Sequence, residues 1–229
     1  MKMRLILFDI DQTLVDMAGV GMRCLRRAFR EVCKAELEGV VPDGRTDPAI
    51  LREGLAIARI PPGHWADLER KCLAYYVEAL EAELAVPDSG RHLKPGVQLL
   101  LDTLSQADWA RLGLLTGNLE STARLKLRSL GIEHYFPVGG FASDCSNRCN
   151  LGPVALERAR RFFRVPFQPS QVWVVGDTTH DVQAAHALGA RALAVASGRY
   201  PVPALEESRP AAVLADLSDL DRVLQILQS

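Results

Sequence analysis

Residues 4–9 (RLILFD) form a short continuous apolar run that stops at a polar cluster, the pattern of a buried strand. From about 17 to 34 the period lengthens. Leu25, Ala28, Phe29 and Val32 fall at i, i+3, i+4 and i+7, so a helix is predicted. Arg23, Arg26, Arg27 and Arg30 repeat that spacing about 200° away around the helix, at 3.6 residues per turn, and are expected on its solvent side. The segment 39–50 (GVVPDGRTDPAI) reads as a loop feeding a helix. Thr46 or Asp47 is its N-cap and Pro48 suits its first turn. Another helix is predicted over 64–85, closed by Pro87, Asp88, Ser89 and Gly90.

Beyond this all-helical stretch the pattern alternates. Helices are predicted at 95–106, 119–130, 151–163, 179–188 and 216–228. Strands are predicted at 111–116, 172–176 and 191–196, with a short one near 138–141. Strands alternating with helices imply a parallel sheet wrapped by helices, here an α/β core of residues 1–16 and 89–229. The helical segment 17–88 interrupts it after the first strand.

Composition narrows the classes. The chain has 229 residues, 48% of them apolar, and a net charge of -1. That is too apolar for a disordered chain and lacks the basic excess of a nucleic-acid binder. No apolar run reaches the ~18 residues of a membrane span, and Asp9 interrupts the N-terminal one, so no signal peptide is expected. The expected location is cytoplasmic. Five cysteines, an odd count, fit reduced thiols. Only five basic residues are lysines, none after Lys126, against 22 arginines.

In such a sheet ligands bind at the carboxyl ends of the strands. The first strand ends in Asp9-Ile10-Asp11-Gln12-Thr13, the 111–116 strand in Thr116-Gly117-Asn118, and the 172–176 strand in Gly176-Asp177, with Asp181 four residues on. A tight cluster of Asp9, Asp11 and Asp177 is costly without a cation, and oxygen-only ligands suit Mg²⁺. Thr116, Gly117 and Asn118 supply a hydroxyl, backbone N–H groups and an amide where a helix begins, a set suited to an anion. An acidic metal site beside a phosphate cradle points to phosphoryl transfer.

These motifs resemble the haloacid dehalogenase superfamily, in its phosphatase branch similar to phosphoglycolate phosphatases. The first, D-x-D-x-T, is Asp9, Asp11 and Thr13. The second is Thr116. The fourth, G-D-x-x-x-D, is Gly176, Asp177 and Asp181. The resemblance spans essentially the whole chain and implies a Rossmann-like core with a helical cap over the site. It makes Asp9 the nucleophile and Asp11 the general acid and base. Mg²⁺ is held by Asp9, the Asp11 backbone carbonyl and Asp177, with Asp181 behind them.

Two departures stand out. Gln12 occupies a position that is usually glycine. The lysine that normally precedes the fourth motif is missing, and Arg148 occupies its place as a phosphate-binding charge. In the insert, Arg45, Thr46 and Asp47 are the candidate substrate contacts. His180 reads as structural rather than catalytic. A nicotinamide enzyme is disfavoured, because Gly19-Val20-Gly21 is not followed by a third glycine and does not follow the first strand.

The reading is therefore a Mg²⁺-dependent phosphatase of a small phosphorylated metabolite, phosphoglycolate-like or a sugar phosphate, with no nucleic-acid or membrane partner. The alternatives are a phosphomutase of the same family and a non-catalytic phospho-ligand-binding protein. The substrate is not legible, and the oligomeric state is open, with a monomer favoured.

Overall fold

The computed structural model describes residues 2–87 and 90–229. In chain order its strands are β1 (Arg4–Phe8), β2 (Val15–Asp16), β3 (His92–Leu93), β4 (Ala110–Leu115), β5 (Gly139–Gly140), β6 (Val172–Gly176), β7 (Arg191–Val195) and β8 (Ala212–Leu214). Its helices are α1 (Val20–Cys33), α2 (Asp47–Ile57), α3 (Trp65–Leu84), α4 (Val97–Gln106), α5 (Glu120–Ser129), α6 (Leu151–Phe163), α7 (Thr179–Leu188), α8 (Val202–Glu207) and α9 (Leu220–Gln228).

Six strands form one parallel sheet in the order β5-β4-β1-β6-β7-β8. β1 lies in the middle and is buried on both faces, which explains why it reads as a continuous apolar run rather than an alternating one. Successive side chains still go to opposite sides. Ile6 and Phe8 pack with Leu100 of α4, Leu127 of α5 and Val223 of α9. Leu5 and Leu7 pack with Ala155 of α6, Val182 of α7 and Leu205 of α8. Each such side chain buried contributes roughly 1.5–3 kcal/mol, so the central strand is firmly held from both faces.

The expected elements all form, with ends moved by a few residues. The 138–141 strand shrinks to two glycines, and β2, β3, α8 and β8 were not anticipated. β2 and β3 pair antiparallel at the two ends of the helical insert, Val15 opposite Leu93 and Asp16 opposite His92. Runs of two residues carry no periodic signal. The expected boundary at 88/89, including Asp88 and Ser89, lies outside the described residues.

In the insert, α1 packs on α3, and α3 packs on α5 of the core. The α1 arginines 23, 26, 27 and 30 all face solvent, as their phase requires. Thr46 is the N-cap of α2, its side chain accepting from Ala49 N, with Asp47 and Pro48 in the first turn. All five cysteines are free. Among the described residues no helix is long and apolar enough to cross a membrane.

Candidate active site

Three parallel strands deliver their carboxyl ends to one edge. Asp9 follows β1 directly, and its N–H donates to Val175 O of β6 at 2.9 Å, so its position is fixed by the sheet itself. Asp177 follows β6. The Thr13 hydroxyl donates to Asp177 Oδ1 at 2.9 Å, tying the first and fourth motifs together. Asp9, Asp177 and Asp181 are all buried and each presents an oxygen within 4.8 Å of the others.

Such a cluster is costly. Burial first, with the Asp181 and Asp11 charges adding and the Arg148 guanidinium opposing, pushes Asp9 up to about 6. Burial, then the Asp181 and Asp9 charges, push Asp177 up to about 8. Two carboxyls that resist ionising, with Asp181 beside them, form a donor set suited to a hard divalent cation. Asp181 is already engaged. Its Oδ1 receives Arg148 Nη2, and its Oδ2 accepts from Thr178 N at 3.0 Å and from the Thr178 hydroxyl at 2.7 Å. Asp9 and Asp177 are the carboxylates left to face a metal.

Arg148 lies in the short helical turn just before α6 and is 93% buried, not a surface residue. Its Nη2 lies 3.0 Å from Asp9 Oδ1 and also reaches Asp181 Oδ1. Nη2 donates to Leu115 O at 3.4 Å, and Nη1 to Gly44 O of the insert at 3.2 Å. Burial opposes its charge, but Asp181 and Asp9 hold its proton well above the ordinary arginine range.

At the end of β4, Thr116, Gly117 and Asn118, the expected cradle residues, lie beside Asp11. The Asn118 amide donates to Asp11 Oδ2 at 2.8 Å and to Thr116 Oγ1 at 2.9 Å. A side chain at Gly117 would meet Arg45 O at 2.1 Å, so only glycine lets the insert approach this loop. Gln12 has φ 63°, the left-handed region, which explains why glycine suits that position. Its side chain accepts from Lys94 Nζ at 3.0 Å, and its carbonyl accepts from the Ser197 hydroxyl at 2.7 Å.

The three insert candidates separate. The Thr46 hydroxyl is consumed, donating to Ser146 O at 2.6 Å and capping α2, and Thr46 does not line the cavity. Arg45 lines the cavity, but its Nη1 pairs with Glu53. Asp47 is buried and clamps the cradle. Its N–H donates to Gly117 O at 2.9 Å, and its Oδ2 accepts from Leu119 N at 3.1 Å. Burial pushes its carboxyl up to about 6, opposed by Lys126. His180 sits beside the site, held below its usual range first by burial and then by Arg148.

One site residue was missed. Lys126 Nζ donates to Asp11 Oδ2 and to Asn118 Oδ1, both at 2.6 Å, from a position 97% buried. The signal was present: Thr122, Ala123, Lys126 and Leu127 form the buried stripe of α5, and a lysine in an apolar stripe needs a partner. Between core and insert lies a cavity of about 230 Å³. Asp9, Asp11 and Asn118 line it together with Met22, Ile50 and Tyr76.

The haloacid dehalogenase-like hydrolase family matches residues 3–189. The tyrosine-protein kinase PtkA of Mycobacterium tuberculosis is 29% identical over 195 residues, 85% of this chain. The chain spans 62% of the length of the mycobacterial kinases it matches. A phosphoglycolate phosphatase of Pasteurella multocida is 27% identical over 237 residues, covering 98% of this chain and 99% of its own. Among solved structures, a hydrolase from Pseudomonas syringae superposes with a TM-score of 0.71 at 20% identity, covering 98% of each chain.

Proposed function

The chain belongs to the haloacid dehalogenase-like hydrolase family, and on that footing we propose that it is a Mg²⁺-dependent phosphatase of a small phosphorylated metabolite. The observation that carries the reading is the meeting of Asp9, held by Arg148 at 3.0 Å, with a cradle whose Asn118 amide also grips Asp11. A nucleophile, a proton carrier and a set of anion donors then surround one point.

Asp9 attacks phosphorus. The bond to the leaving oxygen breaks, that oxygen takes the electron pair, and Asp11 gives it a proton. Water then attacks the aspartyl-phosphate, Asp11 takes its proton, and inorganic phosphate leaves with Asp9 restored. Arg148, the Thr116 hydroxyl and the Gly117 and Asn118 donors balance charge on the phosphoryl oxygens. Bound Mg²⁺, held by Asp9, Asp177 and the Asp11 carbonyl, would supply further charge neutralisation. Asp181 holds Arg148 and the start of α7 in place behind these groups.

The helical region 17–88 acts as the cap that covers the leaving group. The cavity of about 230 Å³ suits a small one, consistent with a phosphoglycolate-like or sugar phosphate substrate. The relative of that name in Pasteurella multocida, matched along nearly its full length, supports the first.

The test is phosphate release across a panel of phosphorylated metabolites, with Mg²⁺ and with chelator, for the parent protein and Asp9→Asn. Turnover by the parent with Mg²⁺ alone is expected. Turnover that survives both chelation and Asp9→Asn overturns the mechanism. A bisphosphate requirement without phosphate release identifies a mutase instead.

A further inference from the structure

We propose that Lys126 is a positioning residue for Asp11, fixing which oxygen of its carboxyl group is held and which faces the leaving group. The inference rests on the reading of Asp11 as proton carrier given above. Lys126 Nζ at 2.6 Å and Asn118 Nδ2 at 2.8 Å both donate to Asp11 Oδ2. Among the described residues no donor reaches Oδ1. An oxygen that accepts two hydrogen bonds, one of them from a cation, is held in place by them. Oδ1 is therefore the oxygen left to face the leaving group, and the same ammonium stops the carboxyl group from rotating to exchange the two.

Lys126 also orients Asn118. Its bond to Asn118 Oδ1 at 2.6 Å fixes the amide, so that Nδ2 faces Asp11 and Thr116. The charge work is thereby split. Arg148 serves the nucleophile Asp9, and Lys126 serves the proton carrier Asp11, from helices on opposite faces of the sheet.

The insert leaves room for this. Gly21 of α1 lies against the ammonium: a Cβ there would meet Lys126 Nζ at 3.2 Å and the Tyr76 hydroxyl at 3.4 Å. The glycine that failed to belong to a nucleotide-binding motif thus has a place in this site. A side chain at 21 pushes on the lysine without removing its charge.

The test compares two esters. An alkyl phosphate needs its leaving oxygen protonated, whereas p-nitrophenyl phosphate, with a stable phenolate, does not. In Lys126→Met, kcat for the alkyl ester is expected to fall on the order of 10²-fold, the range of positioned acid catalysis, and to fall about tenfold less for the aryl ester. Gly21→Ala is expected to show the same selectivity, weaker, and carries the test if Lys126→Met does not fold. Equal losses for the two esters in the folded variants overturn the proposal, because a merely structural lysine would not distinguish leaving groups. Failure of the parent protein to hydrolyse either ester with Mg²⁺ overturns the phosphatase reading and this proposal with it.

Discussion

Removing the Arg148 guanidinium tests the site most directly. It stands 3.0 Å from Asp9 Oδ1 and also contacts Asp181, with almost no exposure to water. At that distance and an effective dielectric of 20, one such attraction is roughly 5 kcal/mol. Much of that only offsets the cost of burying the charges. Deleting one member of a buried pair, however, leaves the others uncompensated and costs about 3–5 kcal/mol. For a chain of this size that lowers Tm by roughly 10 °C. On the proposed mechanism activity falls further, because the same group would orient Asp9 and neutralise the phosphoryl oxygens. Loss of one such donor alone costs about 10²–10³-fold, so Arg148→Ala is expected to lose about 10³-fold or more. Arg148→Lys keeps the charge, but one ammonium cannot span Asp9, Asp181 and the carbonyls of Gly44 and Leu115 together. It should retain activity within about tenfold of the parent. Phosphate release measured beside thermal denaturation separates the two effects. Turnover of Arg148→Ala within about threefold of the parent would refute the reasoning.

Two further outcomes follow from the buried carboxyls. Asp47 is pushed up to about 6, above its usual 3.8, so the folded state holds its proton more tightly than the unfolded chain and stability declines as pH rises through that window. Asp47→Asn should remove the penalty, roughly 3 kcal/mol well above pH 6 and under about 1 kcal/mol at pH 4, seen as a Tm gain concentrated at neutral and alkaline pH; an equal gain at both pH values would contradict it. Asp9 and Asp177, pushed up to about 6 and 8, likewise destabilise the metal-free protein as pH rises, and a cation requires them ionised. Added Mg²⁺ should therefore raise Tm more at pH 8 than at pH 5, and the increment should disappear in Asp177→Asn; an increment independent of pH and of Asp177 would remove these carboxylates from the metal site.

Legibility differed between parts of the site. Asp9, Asp11, Thr116, Asp177 and Asp181 could be expected at one edge because each sits at a fixed offset from the end of an apolar strand, and a parallel sheet brings such ends together. Arg148 was found by elimination, since no lysine follows Lys126. Lys126 itself went unremarked because its role depends on α5 turning one face toward β1, which no local spacing states. Thr46 shows the opposite error: its sequence context fits both a helix cap and a substrate contact, and only the bond to Ser146 O shows that the hydroxyl is spent.

The sequence alone determined the alternation of strands and helices, the break after the first strand, and the acidic edge. Hydrophobic period and strand-end chemistry are local properties, written within a few residues of one another. Tertiary structure decided which cation serves which carboxylate, which oxygen of Asp11 stays free, and that Asp47 rather than Thr46 holds the cradle. Those are contacts across separations of 33 to 139 residues, from Arg148–Asp181 to Arg148–Asp9. Their distances exist only once the insert packs against the sheet, and a hydrogen bond is lost within an ångström or so of its best length while an ion pair weakens with distance.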